Sequence, residues 1–283
     1  MEIIIGKTAG FCYGVRRAVE GAKKELNERK ELYCLGDIVH NKHVLQRLED
    51  SGMKVIETLE EAKTETIIRA HGVTKQIYNK AKELNIKLKD LTCPSVLKIH
   101  KIAKEYANKD YFIILTGEAK HPEIIGTASF CGESYQIIEN EEEIEKVLKQ
   151  INKKNILLIS QTTFNSKKFD NIEKKLRQLA DDRINLEVKK TICNATEIRQ
   201  KETEEIAKQV ELMIIIGGKK SSNTNKLYEI SCKNCNHVIF IEGEEDLNLD
   251  DIKNANKIGI MAGASTDNED IIKVKNKILM GGK

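Results

Sequence analysis

The sequence predicts an α/β protein built of three domains related by a pseudo-threefold repeat, with mainly parallel sheets. Three observations predict it. Cys12, Cys93 and Cys193 each lie between a short apolar run and a segment of helical periodicity. Twenty-four residues beyond each cysteine stands a glycine: Gly36, Gly117 and Gly217. Each glycine closes a continuous apolar run, LYCLG, FIILTG or MIIIGG, of the kind expected for strands covered on both faces.

The elements follow in order. EIIIGKTAGFC is a strand leading into Cys12. Val15, Ala18, Val19, Ala22 and Leu26 then fall at the spacing of one helix face. Val96, Ile99, Ala103 and Tyr106 do the same after Cys93, and Ile198, Ile206 and Val210 do so more weakly after Cys193. Beyond each repeat glycine come a polar loop, a helix and a second strand: MKVIE, YQIIE and HVIFIEG. Acidic stretches, read as helical, follow in TLEEAK, NEEEIEKV and EEDLNLDDI. Third strands end each repeat in TIIRAHG, NILLISQTT and KIGIMAGAS, and fourth runs, IKLKDLTC and LEVKKTIC, lead into the next cysteine. Crossovers this long accommodate helices between parallel strands. The resulting divisions are an N-terminal strand (1–12), three α/β domains (13–92, 93–192 and 193–266) and a C-terminal segment (267–283).

Composition narrows the function. The chain has 283 residues, 40% hydrophobic and 32% charged, ordinary values for a globular protein. A net charge of +3 and the absence of tryptophan argue against a nucleic-acid partner or an anionic membrane surface. No run of about 18 apolar residues suggests a membrane span, and the opening residues do not resemble a secretory signal. Seven widely spread cysteines are not a disulfide framework, so the protein is expected in the cytoplasm with reduced thiols.

The chemistry gathers just past the strand ends, where parallel sheets bind ligands. After the repeat glycines stand His40, Asn41 and Lys42; His121, Pro122 and Glu123; and Ser221, Ser222 and Asn223. After the third strands stand His71, Thr162 with Thr163, and Ser265. Hydroxyls, amides and imidazoles with little aliphatic bulk suit a small oxygen-rich anion such as a phosphate or diphosphate. Any one of these residues alone could be a helix cap or a satisfied core group; their equivalent repeat positions give them weight. Cys12, Cys93 and Cys193 share one repeat position, whereas structural zinc would need four ligands and a disulfide would leave one thiol over. Three thiolates suit a [4Fe–4S] cluster with one open iron. Cys34 and Cys131 read as core residues, and the Cys232-x-x-Cys235 pair with His237 as a surface loop.

GFCYGVRRAV, LGDIVHN, IRAHGV, TCPSV, HPEIIGT, SQTTF, SSNTN and AGAS occur in one order along the whole chain. In these motifs it resembles the 4-hydroxy-3-methylbut-2-enyl diphosphate reductases, which end the methylerythritol phosphate route to isoprenoids. The resemblance implies one [4Fe–4S] cluster per chain, central to three domains and held by Cys12, Cys93 and Cys193. It implies diphosphate binding by His40, His71, His121, Ser221, Ser222, Asn223 and Ser265. Glu123 would deliver protons and Thr162 would help position the substrate hydroxyl, with His121 beside them. Electrons would come from an external ferredoxin- or flavodoxin-like donor. Two departures stand out: Glu197 within Ala195–Gln200, with Thr196 kept as a contact, and Thr266-Asp267-Asn268 where a proline is common. A quinolinate-synthase-type dehydratase and a non-catalytic iron–sulfur redox sensor share the three-thiol feature, but the His/Ser/Asn set favours a diphosphate.

Overall fold

The computed structural model describes residues 1–29, 31–63, 65–180 and 184–281. It contains three four-stranded sheets. The first is formed by β2 (Leu32–Leu35), β3 (Met53–Ile56), β4 (Thr66–Ile68) and β5 (Leu88–Asp90) in the order β3-β2-β4-β5. The second comprises β6 (Phe112–Thr116), β7 (Tyr135–Ile138), β8 (Asn155–Ser160) and β9 (Asn185–Val188), ordered β7-β6-β8-β9. The third takes β10 (Leu212–Ile216), β11 (His237–Ile241) and β12 (Lys257–Ala262), and its fourth strand is β1 (Glu2–Ile5), in the order β11-β10-β12-β1. Each sheet thus places its second, first, third and fourth strands in the same sequence. Pairing is parallel, as in β6 with β8, where Phe112 faces Ile156 and Thr116 faces Ser160. The strand before Cys12 is present as predicted, and its partner is β12 of the last repeat, Glu2 facing Lys257.

Helices α1 (Tyr13–Glu28), α4 (Pro94–Asn108) and α8 (Asn194–Ala207) follow the three cysteines. The first two bury the predicted faces: Ala18, Val19, Ala22 and Leu26 on α1, and Val96, Ile99, Ala103 and Tyr106 on α4. Helix α8 does so only in part: Ile206 is buried, but Ile198 is 49% exposed, and the buried face also carries the polar Thr196, Arg199, Gln200 and Thr203. The other helices are α2 (Lys42–Asp50), α3 (Lys75–Glu83), α5 (Pro122–Ala128), α6 (Ile144–Gln150), α7 (Ser166–Leu179), α9 (Ser222–Asn234) and α10 (Asn268–Gly281). The acidic stretches are helical as expected but shorter. Leu59–Glu61, Glu244–Asp246 and Leu249–Asp251 are single 3₁₀ turns, and only the second repeat continues into an α-helix. Few apolar side chains there give a longer helix a face to bury.

By internal contacts the chain forms two compact units. One contains residues 1–31, 37–54 and 194–283; the other contains 32–36 and 55–193. The first unit packs the third sheet between two apolar layers. Ile214, Ile216, Ile258 and Ile260 meet Ile271, Val274 and Ile278 of α10 on one side. On the other, Met213, Ile215 and Met261 meet Ile206 of α8 and Leu227 of α9. The second unit holds the second sheet and all of the first except Met53 and Lys54 of β3. Its layers join α7 to β6 and β8 through Phe169 and Leu176, α4 and α5 to the opposite face through Ile99 and Ile124, and α3 to the first sheet through Ala81. The repeat glycines mark the strand exits. Gly36 and Gly217 adopt φ values of +68° and +148°, which disfavour a side chain.

Candidate functional site

Backbone hydrogen bonds tie each cysteine to a third-strand end in the same register. Cys93 N–H donates to Ala70 O (3.0 Å), Cys193 N–H to Thr162 O (2.9 Å) and Cys12 N–H to Ala264 O (3.2 Å). Each acceptor lies two residues beyond the end of β4, β8 or β12. The bond therefore sets every cysteine beside a predicted site residue: His71 after Ala70, Thr162 itself, and Ser265 after Ala264. All three cysteines are half-buried and outside any disulfide. Ser95 Oγ lies 3.7 Å from Cys193 Sγ, a contact the sequence did not suggest.

In the second unit, His121 caps α5, and its Nδ1 accepts the Glu123 N–H (3.1 Å). That bond places the ring proton on Nε2. His71 meets the His121 ring edge-to-face with centroids 5.3 Å apart. Glu123 is 2% exposed. Thr162 donates to its carboxylate twice, from N–H to Oε1 and from Oγ1 to Oε2, both at 2.6 Å. Burial pushes the Glu123 carboxyl up to about 7, although both Thr162 bonds pull it down. A carboxyl placed there exchanges a proton near neutral pH. Beside it, Thr163 Oγ1 and Gln161 Nε2 are buried with no hydrogen-bond partner among the described residues.

In the first unit, Ser221 caps α9 by accepting the Thr224 N–H (3.3 Å). Ser222 and Asn223 are both 3% exposed, and the side-chain amide of Asn223 has no partner for either its nitrogen or its oxygen among the described residues. Ser265 Oγ donates to His40 O (3.2 Å). A Cβ at Gly218 would lie 2.2 Å from that same carbonyl, so only glycine permits the approach. Asn41 holds the start of α2, accepting N–H bonds from His43 (3.0 Å) and Val44 (3.2 Å). Lys42, counted with the strand-end set, pairs instead with Glu242 (3.2 Å) and Glu245 (3.5 Å). Where a proline was missing, Asp267 accepts the Glu269 N–H (3.2 Å) and starts α10 in its place.

The remaining cysteines behave as core residues or stay outside the site. Cys34 is fully buried; burial pushes the Cys131 thiol up to about 12. Cys235 directs its thiol at the carbonyls of His237 (3.3 Å) and Val210 (3.6 Å), and Cys232 is exposed. Among the described residues these two and His237 form no metal-ligating group. No role was legible in the sequence for Arg199 and Glu202, which grip the loop before Cys12.

Three parallel α/β repeats, each pairing a half-buried thiol with a polar strand end, and a buried acid in the second of them define the class of this protein. The chain belongs to the LytB protein family, whose description matches residues 3–279. It is 40% identical over 284 residues to the 4-hydroxy-3-methylbut-2-enyl diphosphate reductase of Caldanaerobacter subterraneus subsp. tengcongensis, covering 98% of this chain and 96% of that one. It is 40% identical over 271 residues to that of Clostridioides difficile, covering 95% of each. The solved E-1-hydroxy-2-methyl-but-2-enyl-4-diphosphate reductase from Plasmodium falciparum matches with a TM-score of 0.90 at 32% identity, over 97% of this chain and 87% of that one. A solved (E)-4-hydroxy-3-methyl-but-2-enyl diphosphate reductase, described as the terminal enzyme of the non-mevalonate pathway, matches with a TM-score of 0.71 at 35% identity, over 99% and 100%. Among the described residues no helix is long and apolar enough to cross a membrane.

Proposed function

We propose that this chain is a 4-hydroxy-3-methylbut-2-enyl diphosphate reductase. It removes the allylic hydroxyl of (E)-4-hydroxy-3-methylbut-2-enyl diphosphate as water, taking up two electrons and two protons. The products are isopentenyl diphosphate and dimethylallyl diphosphate. The observation that carries this reading is Glu123, a buried carboxyl pushed up to about 7 and bonded twice to Thr162, whose carbonyl in turn holds Cys193.

The donor set suits an iron–sulfur cluster. Three half-buried thiols precede helices of 16, 15 and 14 residues, and neither Cys12 nor Cys93 uses its side chain to cap its helix. Soft sulfur at such positions favours thiolate ligation. Cys12, Cys93 and Cys193 would hold one [4Fe–4S] cluster, leaving one iron without a protein ligand. The cluster supplies one-electron steps and a Lewis-acidic iron when bound.

The chain's own groups bind, orient and protonate. His40, His71, His121, Ser221, Ser222, Asn223 and Ser265 take the diphosphate, with the unpartnered Asn223 amide accounting for part of the demand. Fixing that end orients the hydroxyl and lowers the barrier by positioning. Glu123 holds the proton that leaves with the hydroxyl, and the Thr162 hydroxyl passes it between carboxyl and substrate. Electrons arrive from a ferredoxin- or flavodoxin-like donor in the cytoplasm.

Anaerobic turnover with a chemical reductant tests this reading. Wild-type protein should convert the allylic diphosphate to both products. Glu123→Gln should lower turnover roughly 10²-fold while leaving bound iron and sulfide unchanged. Full turnover by Glu123→Gln with its cluster intact would overturn the assignment.

A further inference from the structure

The segment between β1 and Cys12 is poorly equipped to hold itself in place. Gly6, Lys7, Thr8, Ala9 and Gly10 include two glycines, and only Ala9 packs on the unit's apolar core. Glycines leave a loop with large conformational freedom. β1 is also a terminal strand whose one strand neighbour among the described residues is β12, the kind of element that frays unless tied down. Cys93 and Cys193 are approached differently. Thr92 N–H is held by Asp90 (2.9 Å), and Thr191 Oγ1 is held by Ser160 O (2.6 Å), each within the local strand ends.

Helix α8 supplies what the first loop lacks. Arg199, 3% exposed, donates from Nε and Nη2 to Thr8 O (2.8 and 2.6 Å) and from Nη2 to Gly10 O (2.7 Å). One turn further along, Glu202 accepts the N–H groups of Lys7 (2.7 Å) and Thr8 (2.9 Å) and the Thr8 hydroxyl. Burial alone would raise the Glu202 carboxyl, but the Thr8 and Lys7 donors and the Arg199 charge hold it below its ordinary value. The carbonyls of Thr8 and Gly10 face a cation and the amides of Lys7 and Thr8 face an anion, so each charge is satisfied by the backbone polarity it meets. These bonds end two residues before Cys12, whose N–H is fixed by Ala264 O. Helix α8 begins at Asn194, directly after Cys193 in the chain. One helix therefore starts at one thiol and grips the approach to another.

We propose that Arg199 and Glu202 are positioning residues for Cys12, holding the Gly6–Gly10 loop so that this sulfur is presented to the cluster in a single placement. The proposal rests on the reading that Cys12 is a cluster ligand. Releasing the clamp frees one thiol of the three and leaves the other two as they were.

The test compares full-length wild type with Glu202→Gln, Arg199→Lys and Arg199→Met, using Lys201→Ala on the exposed face of α8 as the control. In cluster-free protein under anaerobic conditions, iodoacetamide labelling is followed separately at Cys12, Cys93 and Cys193 by peptide mass spectrometry. The clamp variants should label about tenfold faster at Cys12 alone, the loss expected when a charge-assisted hydrogen bond is removed. In the reconstituted holoenzyme they should surrender iron to a chelator about tenfold faster, with Arg199→Lys intermediate. Unchanged Cys12 labelling in a folded variant, or equal acceleration at all three thiols, overturns the proposal. Should Arg199→Met fail to fold by circular dichroism, Glu202→Gln and Thr8→Val decide the matter. If wild-type protein binds no iron and sulfide, the cluster reading fails, while the labelling pattern still decides whether the clamp exists.

Discussion

The two units answer the same chemical demand with different materials. In the unit holding the first two sheets, the strand-end residues include a buried carboxyl at Glu123, two imidazoles packed edge-to-face and a threonine bonded to the acid. In the unit holding the third sheet, the serines and Asn223 at the start of α9, with Ser265, are neutral hydrogen-bonding groups, and His40 is fixed by its carbonyl. A carboxylate among the latter groups would repel a diphosphate, and a site made only of serines and amides could not release a proton near neutral pH. On the proposed reading the side chains at these equivalent positions divide the labour: the unit of Glu123 supplies the proton and, through His71 and His121, part of the anion binding, while the other supplies anion-binding groups alone.

That division is most exposed to kinetics. Glu123→Gln should lower kcat roughly 10²-fold with little change in KM, because it removes a group needed in the proton-transfer step. With its carboxyl pushed up to about 7, wild-type kcat should fall as pH rises through that region, as the proton is lost. Glu123→Gln should lack this basic limb. Asn223→Ala should do the reverse, raising KM roughly tenfold while leaving kcat near wild type, since it removes hydrogen bonds to a charged ligand made alike in the ground and transition states. A KM effect from Glu123→Gln, or a lost pH limb in Asn223→Ala, would dissolve the comparison between the units.

The sequence made the repeat legible because its signals were local. Continuous apolar runs ending in Gly36, Gly117 and Gly217 specify buried parallel strands wherever they occur, and the cysteine spacing shows the register at once. Helix α8 was harder to read. The apolar spacing of Ile198, Ile206 and Val210 suggested an ordinary amphipathic face, yet Ile198 is exposed and the buried face carries Arg199 and Gln200. Arg199 bonds the carbonyls of Thr8 and Gly10, 191 and 189 residues away in the chain, and periodicity holds no information about such distant acceptors. The identity of Glu123 was legible, but its raised carboxyl was not, because desolvation depends on neighbours from other elements. Where a proline is common after Ser265, Asp267 accepts an amide at the start of α10, a local bond that composition alone does not reveal.

His100 offers the smallest effect and a check that the second unit's acid is set apart from its structural core. This residue, 5% exposed, stacks on Phe130 with ring centroids 4.5 Å apart, and its Nε2 has no partner among the described residues. Burial lowers its ring to about 4 despite the nearby Asp90 charge. The unfolded chain therefore binds a proton that the native ring refuses between its ordinary value near 6.5 and about 4. Stability from this residue is complete above pH 6.5 and is lost as pH falls towards 4, with a slope of about 1 kcal/mol per pH unit. His100→Phe, which preserves the stack, should flatten that part of a urea-denaturation series across pH and leave the neutral-pH kcat unchanged. Glu123→Gln should act with the opposite sign over an overlapping window. The native carboxyl is raised, so its stabilising protonated form is present below about 4.5 and is lost as pH rises through about 7. If His100→Phe altered the basic limb of kcat, or Glu123→Gln left stability between pH 4.5 and 7 untouched, the proton-handling site and its supporting core would not be separable in the way these distances and burials require.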